Sequence, residues 1–197
     1  DALLSALSRL PAGGSVPVAL SGGLDSWVVA LLLRQLGRTV EVFTLVSGVT
    51  GYCEWPQTRA IAAQFDIPVQ PIQAPSFDAA LPRFLRVTQT PIYNLHPVSK
   101  LLFAEALATR GITRIVTGDA ADQVFRCESA CDLLPLTQAC FRHCGVDLFT
   151  PFLAPEIRGL CTVPDPSKLP LRDLARQLGI PSIPKRPTYY PGNNIQL

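Results

Sequence analysis

Apolar residues along the first part of the chain fall into short blocks, and the blocks alternate in kind. PVAL (17–20), TVEVFTLV (39–46), IPVQPIQ (67–73) and TRIVTGD (113–119) are brief apolar runs rich in β-branched residues. Such runs fit strands covered on both faces. Between them lie longer amphipathic segments of helical spacing. SALSRL forms a short first helix, LDSWVVALLLRQLG (24–37) stops on Gly37, and CEWPQTRAIAAQFD (53–66) follows. FDAALPRFLRVTQ (77–89) reads as a helix broken at Pro82. PVSKLLFAEALATRG (97–111) reads as a strong helix ending on Gly111.

This alternation predicts an α/β fold, a doubly wound parallel sheet with right-handed crossovers. Ligands of such sheets bind at the carboxyl ends of the strands, where the strand order reverses. Two loops fall at carboxyl ends of predicted strands, SGGLDS (21–26) and TGDAAD (117–122). Beyond residue 126 prolines are frequent, and the pattern predicts helices without strands. DLLPLTQACFRHCG, APEIRGL and KLPLRDLARQLG are the helical segments, and the proline-containing tail is expected to be extended. Residues 1–126 are thus expected to form the α/β core, and residues 127–197 a helical, proline-rich portion of the same domain.

Of 197 residues, 48% are hydrophobic and 16% charged, enough apolar material for a buried core. The net charge of +2 lacks the strong basic excess of a nucleic-acid binder, and no nucleic-acid partner is expected. No apolar run approaches the roughly 18 residues of a membrane span. The opening DALLSALSRLPAGG has neither the basic start nor the apolar core of a secretory leader, so a cytoplasmic, reducing compartment is expected.

The SGGLDS loop carries the clearest chemistry. Gly22 and Gly23 allow a tight turn and let a ligand approach the main chain. The turn opens a helix near Leu24, whose first N–H groups lack helical partners. Those donors, the helix dipole and the hydroxyls of Ser21 and Ser26 suit a phosphate. Asp25 would repel a bare phosphate, so its presence points to a bridging Mg²⁺. No Lys follows the glycines, so this is not the GxxxxGK[ST] loop.

SGGLDS resembles the pyrophosphate-binding loop (SGGxDS) of the ATP pyrophosphatases, and the chain resembles the synthetase domain of asparagine synthetases. PVALSGGLDSWVVALLLR (17–34) matches the first strand and helix of that domain, and TGDAADQVF (117–125) its second signature. LFTPFLAPEI (148–157) resembles its PFLD segment, and KLPLRDLARQLGIPSIPKRPTYY (168–190) its KxxLR and R-x-K closing stretch. The resemblance implies an adenine nucleotide alpha hydrolase-like fold. It implies cleavage of ATP between the α- and β-phosphates, activation of a carboxylate as an acyl-adenylate, and attack by an amine to give an amide. Position by position it puts Ser21, Gly22, Gly23 and Ser26 on pyrophosphate and Asp25 and Asp122 on Mg²⁺. It puts Ala19, Leu45, Thr117 and Gly118 around the nucleotide. Asp119 matches the position where relatives carry a Glu or Tyr that orients or deprotonates the amine; the competing reading is a helix cap.

The chain departs from the family pattern at several positions. The usual Glu of GADE is Gln123, the Asp of PFLD is Ala154, and the closing Lys falls on Thr188. Lys185 is the nearest replacement and the second candidate catalytic residue; a solvated tail is the rival reading. The sequence contains no glutaminase region with an N-terminal Cys. The implied partners are a small-molecule or peptide carboxylate, an amine donor, and a separate glutaminase or substrate-delivery subunit.

Cys127, Cys131, Cys140 and Cys144 form two C-x₃-C pairs, each on one face if helical. Zinc, an iron–sulfur cluster, two disulfides and simple core packing all fit this spacing. A cluster would fit a thiolation enzyme, and the departures would fit a nucleotide-binding subunit without catalysis. His96, before Pro97, reads as a loop or cap residue. Glu105, Lys100 and Arg110 read as a solvated helix face.

Overall fold

The computed structural model of the chain describes residues 1–47, 53–90, 95–125, 133–160, 163–165 and 167–183. Five strands form one sheet: β1 (Val16–Ala19), β2 (Val40–Val46), β3 (Val69–Gln73), β4 (Arg114–Val116) and β5 (Asp147–Phe149). Their order is β3-β2-β1-β4-β5, and every pairing is parallel. From β1 the chain steps outward to β2 and β3, then returns to place β4 on the other side of β1. The reversal therefore lies between β1 and β4, the two strands that lead into SGGLDS and TGDAAD. The fold is the doubly wound α/β sheet that the periodicity predicts.

Helices cover both faces. On one face lie α1 (Ala2–Ser8), α2 (Leu24–Gln35), α3 (Trp55–Gln64), α8 (Pro155–Leu160) and α9 (Leu169–Gln177), which share one apolar core. On the other, α4 (Phe77–Thr88), α5 (Leu95–Thr109) and α7 (Leu134–His143) pack together. The short α6 (Ala121–Val124) follows the TGDAAD turn. Helix α2 is the central element: Ser26 through Leu33 are all buried, because β2, α1 and α9 pack against it. A helix apolar all round has no other stable place.

Two expectations are corrected. Residues 77–88 form one continuous helix through Pro82. Pro82 and Asp78 are exposed, so water can satisfy the Asp78 carbonyl that loses its partner, while Ala80 and Phe84 anchor both halves in the core. Strands also continue beyond residue 126, because β5 pairs with β4 through Arg114↔Asp147, Ile115↔Leu148 and Val116↔Phe149. At three residues β5 is too short to show a period, and its pairing satisfies the β4 edge.

The switch point is closed by a contact of main chain on main chain. A Cβ built on Gly118 would lie 2.5 Å from the Ser26 nitrogen and 2.7 Å from the Asp25 carbonyl carbon. Only glycine lets the TGDAAD turn rest on the first turn of α2. Gly111 differs: its φ is +75°, yet nothing lies within 4 Å of an added Cβ. Gly118→Ala is expected to cost about 2 kcal/mol by overpacking, lowering the melting temperature by roughly 4–8 °C. Gly111→Ala, which meets only the left-handed φ, is expected to cost about 1 kcal/mol. Calorimetry on the two variants checks the order.

Candidate functional site

The SGGLDS turn leaves β1 and enters α2 at Gly23, whose extended φ of −91° makes it the N-cap. Its serines brace the turn. Ser26 Oγ accepts from the Ser21 N–H at 3.1 Å and lies 3.0 Å from both Ser21 Oγ and the Gly23 carbonyl. Ser21 Oγ in turn accepts from the Gly23 N–H at 3.2 Å. From α3, Gln57 Nε2 donates to the Gly22 carbonyl at 3.1 Å, and the Glu54 side chain packs over Gly22. The turn is thus preshaped, with hydroxyls and glycine main chain at the carboxyl end of β1. Ala19 and Leu45 stand near the carboxyl ends of the neighbouring strands β1 and β2. Thr117 is buried just past β4, and Gly118 lies against Asp25 and Ser26.

Asp25, in the first turn of α2, and Asp122, in the first turn of α6, meet Lys168, a residue with no role predicted from sequence. Lys168 Nζ lies 2.7 Å from Asp25 Oδ2 and 2.9 Å from Asp122 Oδ1. Lys168 is only 8% exposed. Burial alone would lower its pKa, but Asp25 and Asp122 outweigh burial and hold the ammonium above its ordinary value. At Asp25 burial prevails over Lys168, and the carboxyl is raised. Asp25 Oδ1 is buried without a hydrogen-bond partner among the described residues. Lys168 is the N-cap of α9 in a left-handed conformation, φ +52°. Its KxxLR setting was visible in the sequence; its meeting with residues 25 and 122 was not, being set by tertiary folding.

Asp119 forms a second ionic centre on the α5 side. Lys100 Nζ donates to its two oxygens at 2.9 and 3.0 Å. The Asp119 N–H donates to Thr117 Oγ1 at 3.1 Å. Burial would raise the Asp119 pKa, but Lys100, His96 and Thr117 outweigh it and keep the carboxylate below its usual range. The cap reading of Asp119 fails: Ala120 is the N-cap of α6, with no side-chain hydrogen bond. The surface reading of Lys100 fails as well. Glu105 pairs instead with Arg83 across α4 and α5, at 2.9 Å. Neither His96 nor Lys100 was assigned chemistry from sequence, because periodicity tells which face a residue occupies, not that the face borders a cleft.

Of the four clustered cysteines, Cys127 and Cys131 lie outside the described residues, as does Lys185. Cys140 is buried between α5 and α7, with Cys144 one turn on, and both are free thiols. Burial pushes the Cys140 thiol up to about 12. Among the described residues no group of three or more His, Cys, Asp or Glu is arranged to hold a metal. None of their helices is long and apolar enough to cross a membrane.

Burial, and then the ammonium of Lys100, hold His96 down at about 4 from an ordinary 6.5. The unfolded chain therefore takes up that proton first, and stability falls as the pH drops from 6.5 to about 4. In Lys100→Met the repulsion disappears and Asp119 is left unpaired, so the His96 value is expected to rise toward 6.5. Imidazole NMR titration, with His143→Gln to assign the signals, checks this.

The asparagine synthase family model matches residues 1–183, a span that contains SGGLDS, TGDAAD and Lys168. No curated protein sequence matches the chain. The parallel sheet and its flanking helices agree with the adenine nucleotide alpha hydrolase-like fold. Sheet, loops and matched span lead to one assignment: the chain belongs to the asparagine synthase family, a family of ATP-dependent amide-forming ligases.

Proposed function

We propose that the chain cleaves ATP between its α- and β-phosphates, transfers AMP to a carboxylate, and completes an amide when an amine displaces AMP. The observation that carries this reading is the convergence of Asp25, Asp122 and Lys168 beside the SGGLDS turn, at the reversal between β1 and β4. Ser21, Gly22, Gly23 and Ser26 bind the pyrophosphate portion through hydroxyls and main chain. Ala19, Leu45, Thr117 and Gly118 line the nucleotide.

Magnesium fits these residues. It takes oxygen ligands, keeps several waters and needs only one or two carboxylates beside substrate phosphates. Asp25 and Asp122 offer two carboxylates from opposite loops, and one Asp25 oxygen has no hydrogen-bond partner among the described residues. Bound there, the ion would supply charge neutralisation on the phosphates.

Asp119 is the group for the amine. Held ionised by Lys100, it is a weak base and a strong acceptor, so its role is to orient the amine by a charge-assisted hydrogen bond. Lys185 is the candidate second cation for phosphate charge, replacing the family Lys at Thr188. The carboxylate is a small molecule or peptide. The amine donor, or a separate glutaminase or delivery subunit, is the implied partner, and the setting is cytoplasmic.

The test is product analysis with ATP labelled at the α- and γ-phosphates, Mg²⁺, and aspartate with ammonium or a small-molecule extract of the source cells. AMP and pyrophosphate are expected. In Asp25→Ala their formation should fall by about two orders of magnitude or more, the scale of losing one electrostatic stabiliser. ADP and phosphate would refute the reading, and ATP that binds unchanged in every mixture would make the chain a nucleotide-binding subunit.

A further inference from the structure

Lys168 occupies the space between the two carboxylates that the proposed function gives to magnesium. Its ammonium lies within 3 Å of one oxygen of each. A magnesium ion on those carboxylates would sit about 2.0–2.1 Å from its oxygens. Two cations cannot share those oxygens in a buried cleft without strong repulsion. A metal that takes the same two oxygens must displace the ammonium.

The main chain of Lys168 is fixed, whereas its side chain is a flexible four-carbon stem. The Lys168 N–H donates to the Asp165 carbonyl at 3.0 Å, and the Asp165 carboxylate accepts from the N–H groups of Ser167 and Leu169. The Asp165 N–H donates to the carbonyl of Phe125, at the end of α6, at 2.9 Å. Leu171 and Ala175 seat α9 in the core beside α2. Displacement of the ammonium therefore needs rotation of the side chain alone. Once off the carboxylates, a buried ammonium requires another anion. Phosphate oxygens arriving with the metal supply it.

We propose that Lys168 determines the form in which a divalent cation enters the site. With no phosphate bound, its ammonium occupies the two-carboxylate position and excludes a free divalent ion. A cation that arrives with pyrophosphate or a nucleotide displaces it, because the phosphate accepts the ammonium as the metal takes the carboxylates. Metal and phosphate affinities are thereby coupled, and each must raise the other by the same factor. The inference rests on the reading of Asp25 and Asp122 as the metal carboxylates.

The test uses Mn²⁺ as probe, with free ion counted by electron paramagnetic resonance, in the presence and absence of pyrophosphate. A pyrophosphate control without protein corrects for the complex formed in solution. The wild-type protein should bind Mn²⁺ weakly alone and much more tightly with pyrophosphate. Lys168→Met should bind Mn²⁺ alone about tenfold more tightly than wild type, within the usual range of coupling between sites, and should gain less from pyrophosphate. Lys168→Arg should keep the exclusion. Circular dichroism establishes the fold of each variant, and Lys168→Gln serves if the Met variant does not fold.

Equal Mn²⁺ affinity of wild type with and without pyrophosphate would overturn the proposal regardless of the variants. So would a folded Lys168→Met that binds Mn²⁺ alone no better than wild type. If wild type binds Mn²⁺ with pyrophosphate, and Asp25→Asn abolishes that binding, the metal carboxylates stand even when the coupling fails. If no protein binds Mn²⁺ in either condition, both readings fall.

Discussion

The contact of Gly118 with the Asp25–Ser26 main chain governs the geometry of everything around it. Two adjacent parallel strands release their loops from the same end of the sheet, and the absence of one side chain lets those loops touch. Asp25 belongs to one loop and Asp122 to the other. Their common distance to a single ammonium, 2.7 and 2.9 Å, depends on how closely the loops approach. The Ser21–Ser26 bracing and the Gln57 bond to Gly22 hold the first loop in shape, so the approach is between two set pieces.

Two ionic centres result, reached from opposite faces of the sheet. Lys168 comes from the side of α2 and α9, Lys100 from α5. Desolvating charges is costly, and an apolar substitute of the same volume often serves stability as well or better. Asp25, Asp119 and Lys168, and the neighbouring His96, have perturbed titration. Clustered groups with shifted titration are a frequent feature of functional sites, as they are of structural ion-pair networks. The surroundings also set their parts: Lys100 keeps Asp119 ionised, while burial raises Asp25 even with Lys168 beside it.

The sequence made the architecture readable because the signals were local. Strand blocks at 17–20 and 39–46, the helix of 24–37 and the glycines of SGGLDS each declare themselves within a few residues, and family blocks in order did the rest. What escaped was non-local. β5 has only three residues, and its existence depends on the open side of β4. Pro82 signals a break, but the burial of Ala80 and Phe84 outweighs one lost hydrogen bond. Lys100 sits on a helix face that looks polar for the ordinary reason, and only the fold turns it toward Asp119. Lys168 opens the KxxLR stretch, yet nothing in KLPLR tells which carboxylates it will meet.

That last pairing spans 143 positions of the chain. On the ribosome, where synthesis proceeds at about 5–20 residues per second, Asp25 is made many seconds before the lysine that neutralises it. The inner strand β1, helix α2 and even β4 can assemble earlier, but their cleft then holds two carboxylates without this ammonium. Helix α9 thus acts as a chronological seal: the charge balance of the SGGLDS loop is settled by a segment made 143 positions later. A truncated product lacking α9 would carry the visible signature of the family while missing the cation around which its two loops are drawn together.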